Sequence, residues 1–179
     1  MILLSHQEVQ RPSYSRSCPA LILEMKSLSQ NLHTLIMAFA ISAGAKIKTI
    51  ATSIEEGFAL PKVEQFEKLI NERTRAIMIC NPNNPTGYLY TRREMNQIRD
   101  LVKKYDLYLF SDEVYREYIY TGSPYISAMH LQGIENNTIL IDSVSKRYSE
   151  CGIRIGALIT KNEEIRKAVM KFCQARLSP

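Results

Sequence analysis

The sequence predicts an α/β fold in which a mostly parallel sheet has helices on both faces. Strand-like and helix-like segments alternate from about Phe39 onward, and such alternation is typical of parallel or mixed sheets. Some strand-like segments, such as "RAIMIC" (75–80), are short continuous apolar runs, as expected for strands buried on both faces. Polar clusters follow three of the strands, and ligands of such sheets bind at the carboxyl ends of strands.

The first regular elements are a strand, a helix and a second strand. "AKIKTIA" (45–51) is strand-like, and "PKVEQFEKLINER" (61–73) predicts a helix that follows a proline. Its apolar residues recur at three- and four-residue spacing: Val63, Phe66, Leu69 and Ile70. The second strand, 75–80, leads into "NPNNPTG" (81–87), whose composition predicts turns.

The second half begins with a helix over 92–105. Thr91 and Glu94 have the spacing of a capping box at its start, and four apolar residues are expected to face inward: Met95, Ile98, Leu101 and Val102. A last helix over 162–177 has Asn162 as its expected cap. Three further segments predict strands: "LYLFSDE" (107–113), "TILIDS" (138–143) and "RIGALIT" (154–160).

Composition bounds the class of protein. The chain has 179 residues, 45% of them hydrophobic, and a net charge of +5, which suits one domain or a large piece of a bigger protein. Basic and acidic residues are interspersed, which favours solvated helices over a nucleic-acid surface. The four cysteines lack metal-binding spacing. We therefore expect a cytoplasmic protein with reduced cysteines and no metal.

The N-terminal segment differs from the rest of the chain. Residues 1–36 are rich in serine and show no sustained period, so we expect an atypical segment, non-homologous or disordered, before a domain over 37–179. A disturbed reading frame or a divergent extension would each produce it. We see no signal peptide, and the apolar stretch 35–45 is too short to span a membrane.

Three polar clusters are expected to meet at one edge of the sheet. They contain Asn84, then Asp112 with Tyr115, then Ser143, Ser145 and Lys146. Singly, each has an ordinary explanation: a turn asparagine, a capping aspartate, a packed tyrosine or a surface lysine. A partly desolvated lysine, however, becomes a nucleophile that forms imines with aldehydes.

Arg154 lies between apolar residues, eight positions after Lys146. It could simply reach solvent from a strand start, but if buried it would need an anion, and its guanidinium suits phosphate or carboxylate. Together with a lysine, a carboxylate, a phenol, an amide and nearby serines, it matches the needs of pyridoxal 5'-phosphate.

The motifs "NPNNPTG", "SDEVY" and "SVSKRYSECGIRIG", in this order, resemble those of the class I/II aminotransferases, which are fold type I pyridoxal-phosphate enzymes. The similarity is strongest to bacterial aspartate aminotransferase-like proteins. It implies that 37–179 is part of the large, cofactor-binding domain, and that a C-terminal small domain and an N-terminal cofactor-contacting region are missing. The family also implies a homodimer. Glu150 departs from the pattern, because that position is usually small or apolar.

The resemblance implies roles for individual residues. Lys146 would form the internal aldimine and move protons, Asp112 would pair with the ring nitrogen, and Asn84 and Tyr115 would bind the ring hydroxyl. Phosphate would be bound by Ser143 and Arg154, with help from Ser145.

The implied reaction is transfer of an amino group between an amino acid, with aspartate expected, and a 2-oxo acid such as 2-oxoglutarate. Neither nucleic acid nor membrane is an expected partner. Three alternatives stay open: an inactive remnant of such an enzyme, an aromatic aminotransferase, or a C–S lyase. A phosphate-binding α/β protein without imine chemistry is disfavoured by Asn84, Asp112 and Tyr115 together.

Overall fold

The computed structural model describes residues 20–24, 41 and 44–177, and within them six strands form one sheet. The strands are β1 (Ala20–Glu24), β2 (Lys46–Ile50), β3 (Thr74–Cys80), β4 (Tyr108–Asp112), β5 (Thr138–Ser143) and β6 (Gly156–Thr160). Their order in the sheet is β2-β1-β3-β4-β5-β6. All neighbours are parallel except β5 and β6, which are antiparallel. The predicted α/β class with a mostly parallel sheet is confirmed.

Helices connect and flank the strands. They are α1 (Val63–Leu69), α2 (Arg92–Tyr105), α3 (Val144–Arg147) and α4 (Glu163–Leu177), with a 3₁₀ turn at Ala128–His130. None of the helices in the described ranges has the length and apolar character needed to cross a membrane.

The main apolar core lies between the sheet and the helices α1 and α2. Side chains two apart on a strand share a face, and Ile77 and Ile79 of β3 join Leu109 of β4 in this core. The helices contribute five fully or almost fully buried side chains: Phe66, Met95, Ile98, Leu101 and Val102. The predicted inward face of 92–105 is therefore confirmed.

Local hydrogen bonds explain where the helices begin and end. The Glu94 amide donates to Thr91 Oγ1 at 3.2 Å, and the Thr91 amide donates to a Glu94 carboxylate oxygen at 2.7 Å, which confirms the capping box. Helix α1 ends at Leu69, four residues earlier than predicted. Asn71 Oδ1 accepts from the Arg73 amide at 2.9 Å, and this side-chain turn ends the helix and directs the chain into β3.

Two strands differ from the sequence prediction. β1 lies between β2 and β3, although the sequence indicated no strand before residue 45. The expectation for residues 1–36 otherwise falls outside the described residues. β6 begins at Gly156 and not at Arg154, because Arg154 has a φ of 59°, a left-handed conformation that cannot continue a strand. The cap at Asn162 is confirmed by a 3.0 Å bond from the Ile165 amide to its Oδ1.

Candidate functional site

The carboxyl ends of β3, β4 and β5 lie side by side. Cys80 of β3 pairs with Asp112 of β4, and Asp112 pairs with Ile141 of β5. The segments that leave these strands carry the three predicted polar clusters. Their convergence at one edge of the sheet is therefore confirmed, because parallel strands in this register end at the same level.

Asp112 is the most deeply buried of the predicted site residues, with 1% of its surface exposed. Burial raises the pKa of its carboxyl from 3.8 to about 6. A hydrogen bond from the Val114 amide to Asp112 Oδ1, at 3.2 Å, opposes this shift. The charges of Glu113 and Asp142 raise the pKa further. Among the described residues no cation forms an ion pair with Asp112.

Asn84 and Tyr115 contact each other directly. Asn84 Nδ2 donates to Tyr115 Oη at 2.7 Å, and both line a cavity of about 230 Å³. The loop that carries Asn84 contains two cis peptide bonds, Asn81–Pro82 and Asn84–Pro85. Its base is anchored by Asn81, which is fully buried and bonds to the Ile126 carbonyl and the Tyr90 amide. The Asn84 amide is thus held by a loop tied to the core, and it meets the Tyr115 phenol, which comes from the segment after β4.

Lys146 lies in the four-residue helix α3, directly after β5. Its side chain is half-buried, and Nζ lies 5.8 Å from the centre of the Tyr115 ring. Tyr118 Oη donates to the Lys146 carbonyl oxygen, and the Tyr118 and Tyr115 rings meet edge to face. The structure therefore brings Lys146 together with Tyr115 and Asn84.

Ser143 and Ser145 begin α3. Ser143 Oγ accepts from the Ser145 amide at 3.1 Å and so caps the helix. The two hydroxyl oxygens are 2.7 Å apart, and Ser143 Oγ also lies 3.1 Å from the Ile155 carbonyl oxygen. The start of α3, with both serine hydroxyls, therefore lies beside Ile155, the residue directly before β6.

Arg154 is placed differently from the other candidates. It is exposed, and its guanidinium donates to the Cys151 carbonyl at 2.9 Å. Its neighbour Ile155 contacts Ser143, so the Arg154 backbone is close to α3 while its side chain is bound to its own loop. Glu150 is also exposed.

Sequence reasoning missed several charged and aromatic residues around the site. Glu113 is fully buried and accepts hydrogen bonds from Ser111, from the Ala128 amide and from Tyr125. Asp142 forms ion pairs with Arg116 and Arg147. Charges that directly follow or flank a buried strand were the available signal, but their partners lie far away in sequence.

Comparison with models of protein families finds a match over most of the chain. The family model "Aminotransferase class I and II" matches residues 32–179. An aromatic-amino-acid aminotransferase 2 of Thermococcus litoralis is 36% identical over 129 residues, which are 72% of this chain and 33% of that protein. An aspartate aminotransferase of Thermotoga maritima is 34% identical over 132 residues, 74% of this chain and 34% of that protein.

Solved structures similar to this chain are also aminotransferases. The aromatic aminotransferase from Pyrococcus horikoshii superposes with a TM-score of 0.79 at 28% identity, covering 90% of this chain and 42% of that one. The aspartate aminotransferase from Thermotoga maritima has a TM-score of 0.79 at 29% identity, covering 89% and 40%. The chain spans about a third of the length of the curated relatives it matches.

Proposed function

Because the chain belongs to the aminotransferase class I and II family, we propose that it carries the pyridoxal 5'-phosphate pocket of a transaminase. In this proposal the full-length protein moves an amino group from aspartate to a 2-oxo acid such as 2-oxoglutarate, as a cytoplasmic homodimer. The observation that carries the proposal is the buried carboxyl of Asp112, at the sheet edge that also presents Lys146 and the Asn84–Tyr115 pair.

The donor set fits the ring of the cofactor. Asp112 is buried without an ion-pair partner among the described residues, and its pKa is raised to about 6. A cationic ring nitrogen would provide the missing opposite charge and keep this carboxyl ionised. Asn84 donates to Tyr115 Oη, which leaves the tyrosine's own proton free to be donated to a ring hydroxyl oxygen.

The serines fit an anion at the start of α3. The Ser143 and Ser145 hydroxyls are 2.7 Å apart and could both donate to phosphate oxygens, as in other anion sites built from hydroxyls and amides. Arg154 would join them after its guanidinium releases the Cys151 carbonyl. An arginine with an exposed side chain can make such a change of rotamer at low cost.

When bound, pyridoxal phosphate supplies an aldehyde for amines and a ring that withdraws electrons from the substrate α-carbon. Lys146 Nζ would hold the cofactor through this aldehyde. Once freed, the same amine would accept the proton from the substrate α-carbon and donate it to the cofactor's aldehyde carbon. Tyr115, whose ring centre is 5.8 Å from Nζ, would orient the amine during the transfer.

A second substrate class has a specific observation in its favour. A relative that is 36% identical is an aromatic-amino-acid aminotransferase, while several relatives at 33–35% identity are aspartate aminotransferases. An aromatic amino acid is therefore the second candidate substrate. Comparing aspartate with tyrosine as amino donors distinguishes the two.

Trapping the cofactor on the chain tests the proposal. Purified protein is incubated with pyridoxal phosphate and reduced with borohydride, and the modified peptide is identified by mass spectrometry. We expect the adduct on Lys146, its loss in Lys146→Ala, and its persistence in the control Lys171→Ala, which removes an exposed lysine of α4.

Protein that forms the Lys146 adduct is then mixed with pyridoxal phosphate and either aspartate or tyrosine, without a 2-oxo acid. We expect aspartate to be converted to its 2-oxo acid. Adducts scattered over surface lysines, or an adduct that survives Lys146→Ala, would contradict the proposal and favour a chain without catalytic function. Conversion of tyrosine alone would reassign the substrate.

A further inference from the structure

Four charged side chains form a connected cluster beside Lys146. Arg116 and Glu117 come from the segment that follows Tyr115, Asp142 from the end of β5, and Arg147 from α3. Asp142 Oδ2 lies 2.8 Å from an Arg116 nitrogen and 3.4 Å from an Arg147 nitrogen. Glu117 lies 3.4 Å from Arg147 and 3.9 Å from Arg116. We call these four residues the Asp142 cluster.

The cluster is more enclosed than an ordinary surface ion pair. The side chains of Asp142, Arg147 and Arg116 are 15%, 20% and 26% exposed. By contrast, the Lys104–Glu67 pair between α1 and α2 is 61% and 30% exposed. Because water screens the enclosed charges less, their attraction is stronger and the loss of one partner is more costly.

Asp142 is central to the cluster, since of the two acids that pair with both arginines it is the more enclosed, at 15% exposed against 58% for Glu117. Among the residues that the structure describes, neither the second Asp142 oxygen, Oδ1, nor Arg147 Nε has a hydrogen-bond partner, and both atoms are buried. Removing the Asp142 charge would therefore leave Glu117, which is 58% exposed, as the acid of this cluster that balances two arginines.

The helix that carries Lys146 needs such support. A four-residue helix is not stable by itself, because few hydrogen bonds repay its nucleation. The segment that follows is exposed, with Tyr148 at 62% and Ile153 at 51%. Among the described residues, α3 is held by the Ser143 cap, by the Tyr118 bond to the Lys146 carbonyl, by the contact of Lys146 Nζ with the Tyr115 ring and by the Asp142 cluster. The cluster supplies the ion pairs in this set.

We propose that Asp142 is a positioning residue, which holds Arg116 and Arg147 at once and thereby fixes the Lys146 helix against the segment that carries Tyr115. The planar guanidinium groups suit this task, because their nitrogens bond in fixed directions. For catalysis the inference rests on the proposed function, since it concerns the geometry between Lys146 and Tyr115.

Hydrogen exchange without cofactor tests the structural part. We expect Asp142→Asn, which keeps the side-chain shape, to speed amide exchange in residues 144–148 by about tenfold or more, as for loss of an enclosed charge. Exchange in β3 should be unchanged. Glu67→Gln, which breaks the Lys104 pair at 2.7 Å, is the matched control and should leave 144–148 unaffected.

A second variant tests the same role if Asp142→Asn fails to fold. Arg147→Lys keeps the positive charge beside Asp142 but loses the forked geometry, so we expect a smaller increase in the same five residues. If neither variant changes exchange at 144–148, the role of Asp142 is overturned.

Cofactor trapping tests the functional part on the same proteins. We expect Asp142→Asn to slow the borohydride-trapped labelling of Lys146 by about tenfold, with the adduct still on Lys146, and Glu67→Gln to label as the wild type does. A wild-type chain that is not labelled at Lys146 overturns the proposed function. Normal labelling kinetics in Asp142→Asn, with a labelled wild type, overturn the positioning role alone.

Discussion

Asp112 and Lys146 follow neighbouring strands, but the structure holds them in place by different means. Asp112 is the last residue of β4, between two paired strands, and is 1% exposed. Lys146 lies beyond its strand, in a four-residue helix followed by an exposed segment. The acid is thus positioned by backbone hydrogen bonds and core packing, whereas the lysine is positioned by side chains. The same site combines a part that is fixed by the fold with a part that is adjustable.

The largest expected difference between the two parts is in stability. Ile79→Ala, at a residue of β3 that is 1% exposed, should lower the free energy of unfolding by about 2–5 kcal/mol, because it leaves a cavity in the core. Ile153→Ala, in the segment after Lys146 and 51% exposed, should change it by less than about 0.5 kcal/mol. Urea unfolding of both variants measures this, and equal losses would break the contrast.

The protonation of the buried Asp112 should also make the free energy of unfolding depend on pH. Its native pKa of about 6 exceeds the usual 3.8, so between these values the native state binds more protons than the unfolded state. The contribution of Asp112 to the free energy of unfolding should therefore fall by about 3 kcal/mol as pH rises from about 4 to about 6, and should stay constant at higher pH. Urea unfolding across this range measures it, and Asp112→Asn should remove this contribution.

Asp100→Asn, at an exposed aspartate of α2, is the control for the loss of one carboxyl group. Added pyridoxal phosphate should reduce the Asp112 contribution, because a cation beside the carboxyl lowers its pKa. An unchanged pH profile in Asp112→Asn would contradict the expected shift.

The smallest effects separate two tyrosines. Tyr115→Phe removes the acceptor for Asn84 at a partly buried hydrogen bond, and we expect pyridoxal phosphate binding to weaken by about tenfold. Tyr118→Phe removes the bond to the Lys146 carbonyl, where the tyrosine is 38% exposed and water can replace it. For Tyr118→Phe we expect pyridoxal phosphate binding to weaken by about threefold or less. Absorbance titration measures both, and the reverse order would contradict the comparison.

The sequence predicted best what is decided locally. The capping box of Thr91 and Glu94 lies within four residues, and the helix it starts was predicted with its observed bounds. The end of α1 was predicted too late, because an Asn71 side-chain bond overrides apolar periodicity. β1 was missed, because "ALILE" has four apolar residues followed by a glutamate, a run too short to show a period of its own.

For the candidate site, the sequence placed the right residues at strand ends but not the contacts that hold them. The motif order indicated that Asn84, Asp112, Tyr115 and Lys146 would meet at one edge. It gave no sign that Asp142 would bind Arg116, 26 positions earlier, or that Arg154 would adopt a left-handed backbone. Such pairings depend on tertiary distances, which neither spacing nor propensity encodes.

The antiparallel pairing of β5 with β6 has a further consequence. Ser143 pairs with Gly156, so the chain leaves the sheet and re-enters it at the same residue pair. Residues 144–155 therefore form a connection whose two ends are adjacent. A Cβ atom at Gly156 would lie only 3.2 Å from the Asp142 carbonyl oxygen, so the glycine allows the two ends to approach this closely. Because the entropy of closing a loop changes slowly with its length, insertions or deletions after Arg147 should leave the sheet in register. Residues 148–153 can therefore vary in number while Lys146 stays at the end of β5 and Arg154 stays beside β6.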